Sequence, residues 1–163
     1  MYKRQVVFRP FHDSNQWDFV LDGAARTCKA LHAHGAKHLV LIDSISPRRA
    51  PTAGRFNEAE QMCSAEWKAF KNRIRTIAKI GTEEYGLTVG IHAHAAGFID
   101  FEPEIERLLE ETDEKYLKIC LDTGHHSYAG FDPTSFLQRH IKRTSYLHFK
   151  DIDPIVKAEV VYR

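Results

Sequence analysis

The sequence predicts an α/β chain that forms an incomplete piece of a (β/α)8 TIM barrel, with about five parallel strands and their helices. Two observations predict it. Short apolar, β-rich runs alternate with longer stretches of helical periodicity, the pattern of a parallel sheet joined by right-handed crossovers. The successive runs also end in polar residues, Arg9, Asp43, His92, Asp122 and His148. One polar residue at the C-terminal end of each of several strands is what a barrel active site requires.

Each element follows from local composition. Gln5 to Phe8 is a β-rich run stopped by Arg9-Pro10 and the polar cluster after it. From Gln16, apolar residues at Trp17, Val20, Leu21, Ala24, Ala25, Cys28 and Leu31 mark one helix face, with Gly35 as its C-terminal cap. Lys37 to Ile42 is a near-continuous apolar strand of the doubly buried kind. Ser44 to Cys63 reads as a long loop, and Ser64 as the cap of a helix with core residues Trp67, Phe70, Ile74, Ile77, Ala78 and Tyr85. Leu87 to Ile91 is the third strand. Pro103 opens a helix with core positions Ile105, Leu108 and Leu109, whose glutamates form a solvated face. Tyr116 to Leu121 is the fourth strand. Asp132-Pro133 starts a helix through Phe136, Leu137 and Ile141, and Ser145 to Phe149 is the fifth strand; no closing helix is evident before Arg163.

A complete barrel takes eight strands and at least about 200 residues. A single partial domain over residues 1–163 is therefore expected, lacking two early strands and the last one. Its terminal strands would be open edges, which other chains, a homo-oligomer among them, would cover.

Composition excludes several classes. Twenty-three Lys plus Arg against 22 Asp plus Glu leave a formal charge of +1, which points to neither a nucleic-acid nor a membrane partner. Three cysteines, Cys28, Cys63 and Cys120, form no CxxC pattern and argue against a disulfide framework. No signal peptide or membrane-length apolar run is present, so a cytoplasmic location is expected. Ten histidines, in contrast, are many for this length and raise the question of metal binding or proton transfer.

His92, Asp122 and His148 lie 30 and 26 residues apart, about one βα unit each, which stacks them on adjacent strands. Two imidazoles and a carboxylate suit a divalent ion such as Mn, Co, Zn or Mg, and the lack of a thiolate favours an exchangeable catalytic ion over a structural zinc. Each residue alone also has a plain structural reading, the aspartate as a cap of the following amides. His125, one short turn after Asp122, is a candidate acid or base; His94 shares the face of His92; Lys150 is placed to stabilise an oxyanion. These three form the catalytic set. Arg9, His12, Arg48 and Arg55 are candidates for substrate binding, and the loop arginines Arg48, Arg49 and Arg55 could grip an anionic group.

Gly86-Leu87 with His92-Ala93-His94, Leu121-Asp122-Thr123-Gly124-His125, Asp132-Pro133 and His148-Phe149-Lys150-Asp151 together resemble the sugar phosphate isomerase/epimerase family of xylose isomerase-like TIM barrels, over roughly residues 5–153. The run 110–113 followed by the two later motifs is similar to inosose (2-keto-myo-inositol) dehydratases. The resemblance implies that Asp122 and His148 are metal ligands and that His125 lies near the substrate. Many isomerases and epimerases of the family carry glutamate where His92 stands, and dehydratase-like members tend to carry histidine. The family's last metal-binding glutamate, on the eighth strand, has no counterpart in this chain.

The expected function is that of a metal-dependent isomerase or epimerase of a small-molecule sugar or polyol, acting by proton abstraction next to a carbonyl. The alternatives are an inosose dehydratase-type lyase and a non-catalytic barrel fragment. Metal-dependent cleavage of DNA at abasic sites is disfavoured by the near-neutral charge.

Overall fold

The computed structural model describes residues 6–161. Five strands, β1 (Val6–Arg9), β2 (His38–Asp43), β3 (Thr88–Ile91), β4 (Lys118–Asp122) and β5 (Thr144–His148), form one sheet whose spatial order is the chain order. Every neighbouring pair is parallel. A doubly wound sheet reverses its order at a switch point; progressive winding without reversal is the wall of a barrel. Gln5, the expected start of the first strand, lies outside the described residues.

Among the described residues six α-helices accompany the sheet: α1 (Trp17–Ala33), α2 (Ser64–Lys79), α3 (Glu102–Glu110), α4 (Thr123–Tyr128), α5 (Pro133–His140) and α6 (Pro154–Val161). The apolar stripe of α1 (Val20, Ala24, Cys28, Leu31) and that of α2 (Trp67, Phe70, Ile74, Ile77) pack on Val7, Leu39, Leu41, Val89, Ile91, Ile119 and Leu121 of the sheet. All these strand positions are odd-numbered, because successive side chains of a strand point to opposite faces. The even-numbered positions form the inner face. There Val40, Ile42 and Cys120 make a small separate cluster, while Val6 and Phe8 on the edge strand remain 36% and 39% exposed.

Several elements differ from expectation for identifiable reasons. Cys63, not Ser64, is the N-cap of α2, and the Glu66 carboxylate accepts the Cys63 N–H at 2.8 Å. The chain does close with a helix, α6, whose first turn is held by Asp153 accepting the N–H groups of Ile155 and Val156 at 2.8 and 3.2 Å. Asp153-Pro154 repeats the Asp-Pro start of α5, so the signal was present in the sequence. The α4 turn is too short for periodicity to register. Phe149 lies beyond the end of β5 and is 79% exposed.

The long β2–α2 loop is anchored by a buried ion pair. Arg49, 1% exposed, makes two hydrogen bonds to Glu104 (Nη1–Oε1 2.7 Å, Nη2–Oε2 3.2 Å) and lies against the rings of Phe98 and Phe101. Glu104, read from sequence as part of a solvated face, is instead 7% exposed. Its Oε2 also accepts the N–H groups of Asp100 and Phe101 at 3.0 and 3.1 Å. The pair thus ties the β2–α2 loop to the β3–α3 loop at the sheet's C-terminal edge. Glu104→Ala strands a buried guanidinium and is expected to cost about 3–5 kcal/mol, measured as a shift of the urea unfolding midpoint relative to the parent chain.

Candidate metal centre

The pleat sorts the polar strand ends. His92 follows β3 in phase with Gly90, Asp122 ends β4 in phase with Cys120, and His148 ends β5 in phase with Tyr146, so all three face inward. Arg9 and Asp43 have the opposite phase. Arg9 lies over the ring of Phe19 on α1 at 5.1 Å and donates to the Phe8 carbonyl at 3.0 Å. Asp43 is 1% exposed and bridges two loops: Oδ1 meets His12 Nδ1 at 2.9 Å and Oδ2 accepts the Phe98 N–H at 2.9 Å.

The Asp122 carboxylate is the point of convergence. Its Oδ2 lies 3.2 Å from His92 Nε2, 3.4 Å from His148 Nδ1 and 2.6 Å from Lys150 Nζ. Its Oδ1 accepts the His125 N–H at 3.0 Å, so the same side chain caps α4. The cap reading and the ligand reading of this aspartate describe two oxygens of one group. Gly124 is required beside it, since a Cβ there would stand 2.7 Å from Lys150 Cβ. Thr123 Oγ1 holds the Lys150 backbone, accepting its N–H at 2.8 Å and donating to its carbonyl at 2.6 Å.

His125 and His94 complete the cluster. Their ring centroids are 4.3 Å apart, and each ring also contacts His92, at 5.4 and 6.1 Å. His94 Nδ1 meets the Ala95 carbonyl at 3.0 Å, and the Ala95 N–H donates to His125 Nδ1 at 3.3 Å. The structure therefore gathers His92, His94, Asp122, His125, His148 and Lys150 at one place. His12, paired with Asp43, stands beside the Phe98 ring at 5.5 Å. Arg48 and Arg55 are engaged elsewhere: Arg48 pairs with Glu60 and Glu66, and Arg55 with Glu58 and the Val161 carbonyl. Of the supporting carboxylates, the sequence marks Asp43 as a strand end but not its role in bridging loops, and Asp100 leaves a trace as a single charge within the apolar run Phe98-Ile99-Asp100-Phe101.

The surroundings favour an ionised carboxylate at Asp122 and neutral rings at His94, His125 and His148. Burial acts to raise the Asp122 carboxyl, but hydrogen bonds from His92, Lys150 and the His125 N–H outweigh it and hold it well below the usual carboxylate range. Burial, followed by the nearby His94, pushes His125 down to about 4, and burial also lowers His94 and His148. Burial raises the Cys120 thiol to about 12, so the sulfur 3.9 Å from His148 Nε2 stays protonated.

This donor set fits a divalent ion. Ligand atoms of His92, Asp122 and His125 all lie within 4.8 Å of one another, His148 meets the same Asp122 oxygen, and the buried Nδ1 of His92 has no hydrogen-bond partner among the described residues. Neutral imidazoles with an ionised carboxylate are the protonation states that ligation needs.

A family model for xylose isomerase-like TIM barrels matches residues 6–160. The chain belongs to the xylose isomerase-like TIM barrel family. Among curated relatives, the inosose dehydratase of Geobacillus kaustophilus is 29% identical over 147 residues, covering 87% of this chain and 46% of the relative. That of Halalkalibacterium halodurans is 26% identical over 166 residues, covering 96% and 54%. The chain thus spans about half the length of these relatives. Among solved structures, the probable 3-DHS dehydratase AsbF of Bacillus anthracis superposes with a TM-score of 0.70 at 20% identity, covering 90% of this chain and 49% of that one. The IolI protein with a bound zinc atom gives 0.68 at 14% identity, covering 86% and 47%. No helix among the described residues is long and apolar enough to cross a membrane.

The shift of His125 has a stability consequence with a definite sign. Its folded value lies below its ordinary 6.5, so between about 4 and 6.5 the unfolded chain binds more protons. Its contribution is complete above pH 6.5 and is lost as the pH falls towards about 4. In metal-free protein, His125→Gln is expected to flatten the decline of the urea midpoint across that window.

Proposed function

We propose that the chain forms part of an enzyme that removes a proton next to the carbonyl of a cyclic keto-polyol or sugar, with a divalent ion (Mn, Co, Zn or Mg) bound at Asp122. The observation that carries this reading is the approach of His92 and His148, from the strands on either side, to one oxygen of Asp122, with a second pair of histidines alongside. His92, Asp122 and His148 would hold the ion, which when bound would supply Lewis-acid polarisation of a carbonyl.

The remaining chemistry belongs to side chains. His94 and His125, kept neutral by burial, are imidazoles suited to accepting and returning a proton. Lys150 brings an ammonium group to an oxygen that gains negative charge as the proton leaves. Phe8, whose ring lies 5.2 Å from His94, contributes an apolar surface beside it.

Return of the proton to the neighbouring carbon gives isomerisation or epimerisation; loss of a β-hydroxyl gives dehydration. We favour dehydration of an inosose, because the curated relatives named above are inosose dehydratases that match most of this chain. Calorimetric titration with MnCl2, CoCl2, ZnCl2 or MgCl2 is expected to show one divalent site per chain. Asp122→Ala should weaken that site by more than the roughly 10–100-fold that loss of an outer-shell partner costs. Incubation with inosose in deuterated buffer should then give deuterium exchange beside the carbonyl and a dehydrated product. Binding of none of the four ions would sink this reading.

A further inference from the structure

We infer that the Ala95 backbone, gripped by Asp100, sets His94 and His125 in opposite tautomers, so that Nε2 of His94 presents a lone pair and Nε2 of His125 presents a proton. A neutral imidazole carries its one proton on the nitrogen that the surroundings require to donate. At His94 the partner of Nδ1 is a carbonyl oxygen, that of Ala95 at 3.0 Å, which only accepts. Nδ1 must therefore hold the proton, and Nε2 is bare. At His125 the partner of Nδ1 is the Ala95 N–H at 3.3 Å, which only donates. Nδ1 must supply the lone pair, and the proton sits on Nε2. One residue without a functional side chain thus polarises two neighbouring rings in opposite senses.

This works only if the Ala95 backbone cannot turn, and the surrounding loop is built to prevent it. Ala96 is the one non-glycine with positive φ among the described residues, at 65°, a conformation that a side chain disfavours. Asp100, 0% exposed, holds it there: its Oδ2 accepts the Ala96 N–H at 3.0 Å, gripping the same peptide plane whose carbonyl faces His94. The Ala96 carbonyl accepts the Ser46 N–H at 2.9 Å. Farther along, Asp43 holds the Phe98 N–H, and Glu104 the N–H groups of Asp100 and Phe101. Asp100 touches neither histidine and is a positioning residue.

Two consequences follow for the reading proposed above, on which only the use of the pair depends. His94 is the ring ready to accept a proton, and His125 the ring whose Nε2–H is ready to donate a hydrogen bond to a substrate oxygen. A ligating nitrogen needs a lone pair, so His125, although close enough to ligate, is reserved for hydrogen bonding and is not a third imidazole on the metal.

Long-range proton–nitrogen correlation spectra of the 15N-labelled full chain, metal-free after chelation and at neutral pH, test the assignment. The expected result is a pyridine-type Nδ1 with a pyrrole-type Nε2 for His125 and the reverse for His94. Asp100→Asn retains an oxygen for the Ala96 N–H and should keep this split; Asp100→Ala should lose it, the two rings drifting towards the same averaged shifts. The same tautomer in both rings of the parent chain, or an unchanged split in Asp100→Ala, would overturn the inference. Should Asp100→Ala fail to fold, amide exchange in the parent decides: the Ala95 and Ala96 N–H groups must both be protected, and rapid exchange of either rejects the arrangement. Because these spectra need no metal, opposite tautomers in a chain that binds no divalent ion would leave this inference standing while the proposed function falls.

Discussion

The structure of the site depends on one carboxylate with two jobs. Asp122 points one oxygen at the start of α4 and the other at His92, His148 and Lys150. The cap fixes where α4 begins and therefore where His125, three residues on, is carried; the second oxygen fixes where the charges meet. Burial of an aspartate is unfavourable unless hydrogen bonds compensate, and here they come from the groups the chemistry needs. The same contacts that make the carboxylate tolerable inside the fold keep it ionised.

Around this point, stability and function are separated by layer. The helix-facing side of the sheet carries the large hydrophobic core, and the inner side carries few apolar contacts and most of the chemistry. The loops at the sheet's C-terminal edge would be free to move were they not sewn together by Asp43, Asp100 and the Arg49–Glu104 pair. These buried charges are costly in desolvation, and they hold loop geometry that apolar contacts cannot specify, because their carboxylates accept the N–H groups of Ala96, Phe98, Asp100 and Phe101.

Much of this was legible in the sequence, and what was not has a physical reason. The alternation of strands and helices is written in hydrophobic period, so the five strands and the barrel class could be read directly. The gathering of His92, Asp122 and His148 could be read from spacing alone, since one βα unit separates each pair. The arginines were harder. Arg9 stands at a strand end and Arg48 and Arg55 in a loop, but where a side chain goes depends on strand phase and on distant partners such as Phe19, Glu66 and Val161, which no local pattern encodes. The pairing of Arg49, a loop arginine, with Glu104, one glutamate of a charged helix face, was hidden for the same reason: separated by 55 residues, each looks like an ordinary surface charge until the other is found. The left-handed Ala96 has no sequence signature, because its conformation is imposed from Asp100.

The pleat of the sheet also divides what mutation can do. Odd-numbered strand positions such as Leu41, Val89 and Leu121 are embedded in the helix-side core, so change there is felt as loss of fold before any loss of chemistry. Even-numbered positions such as Phe8 and Tyr146 have neighbours on the inner face only and keep more than a third of their surface open. Variation can accumulate at those positions at little structural risk, one residue at a time and within reach of the same carboxylate. A scaffold partitioned in this way can change the lining of its inner face while the Asp122 cluster and its core stay as they are.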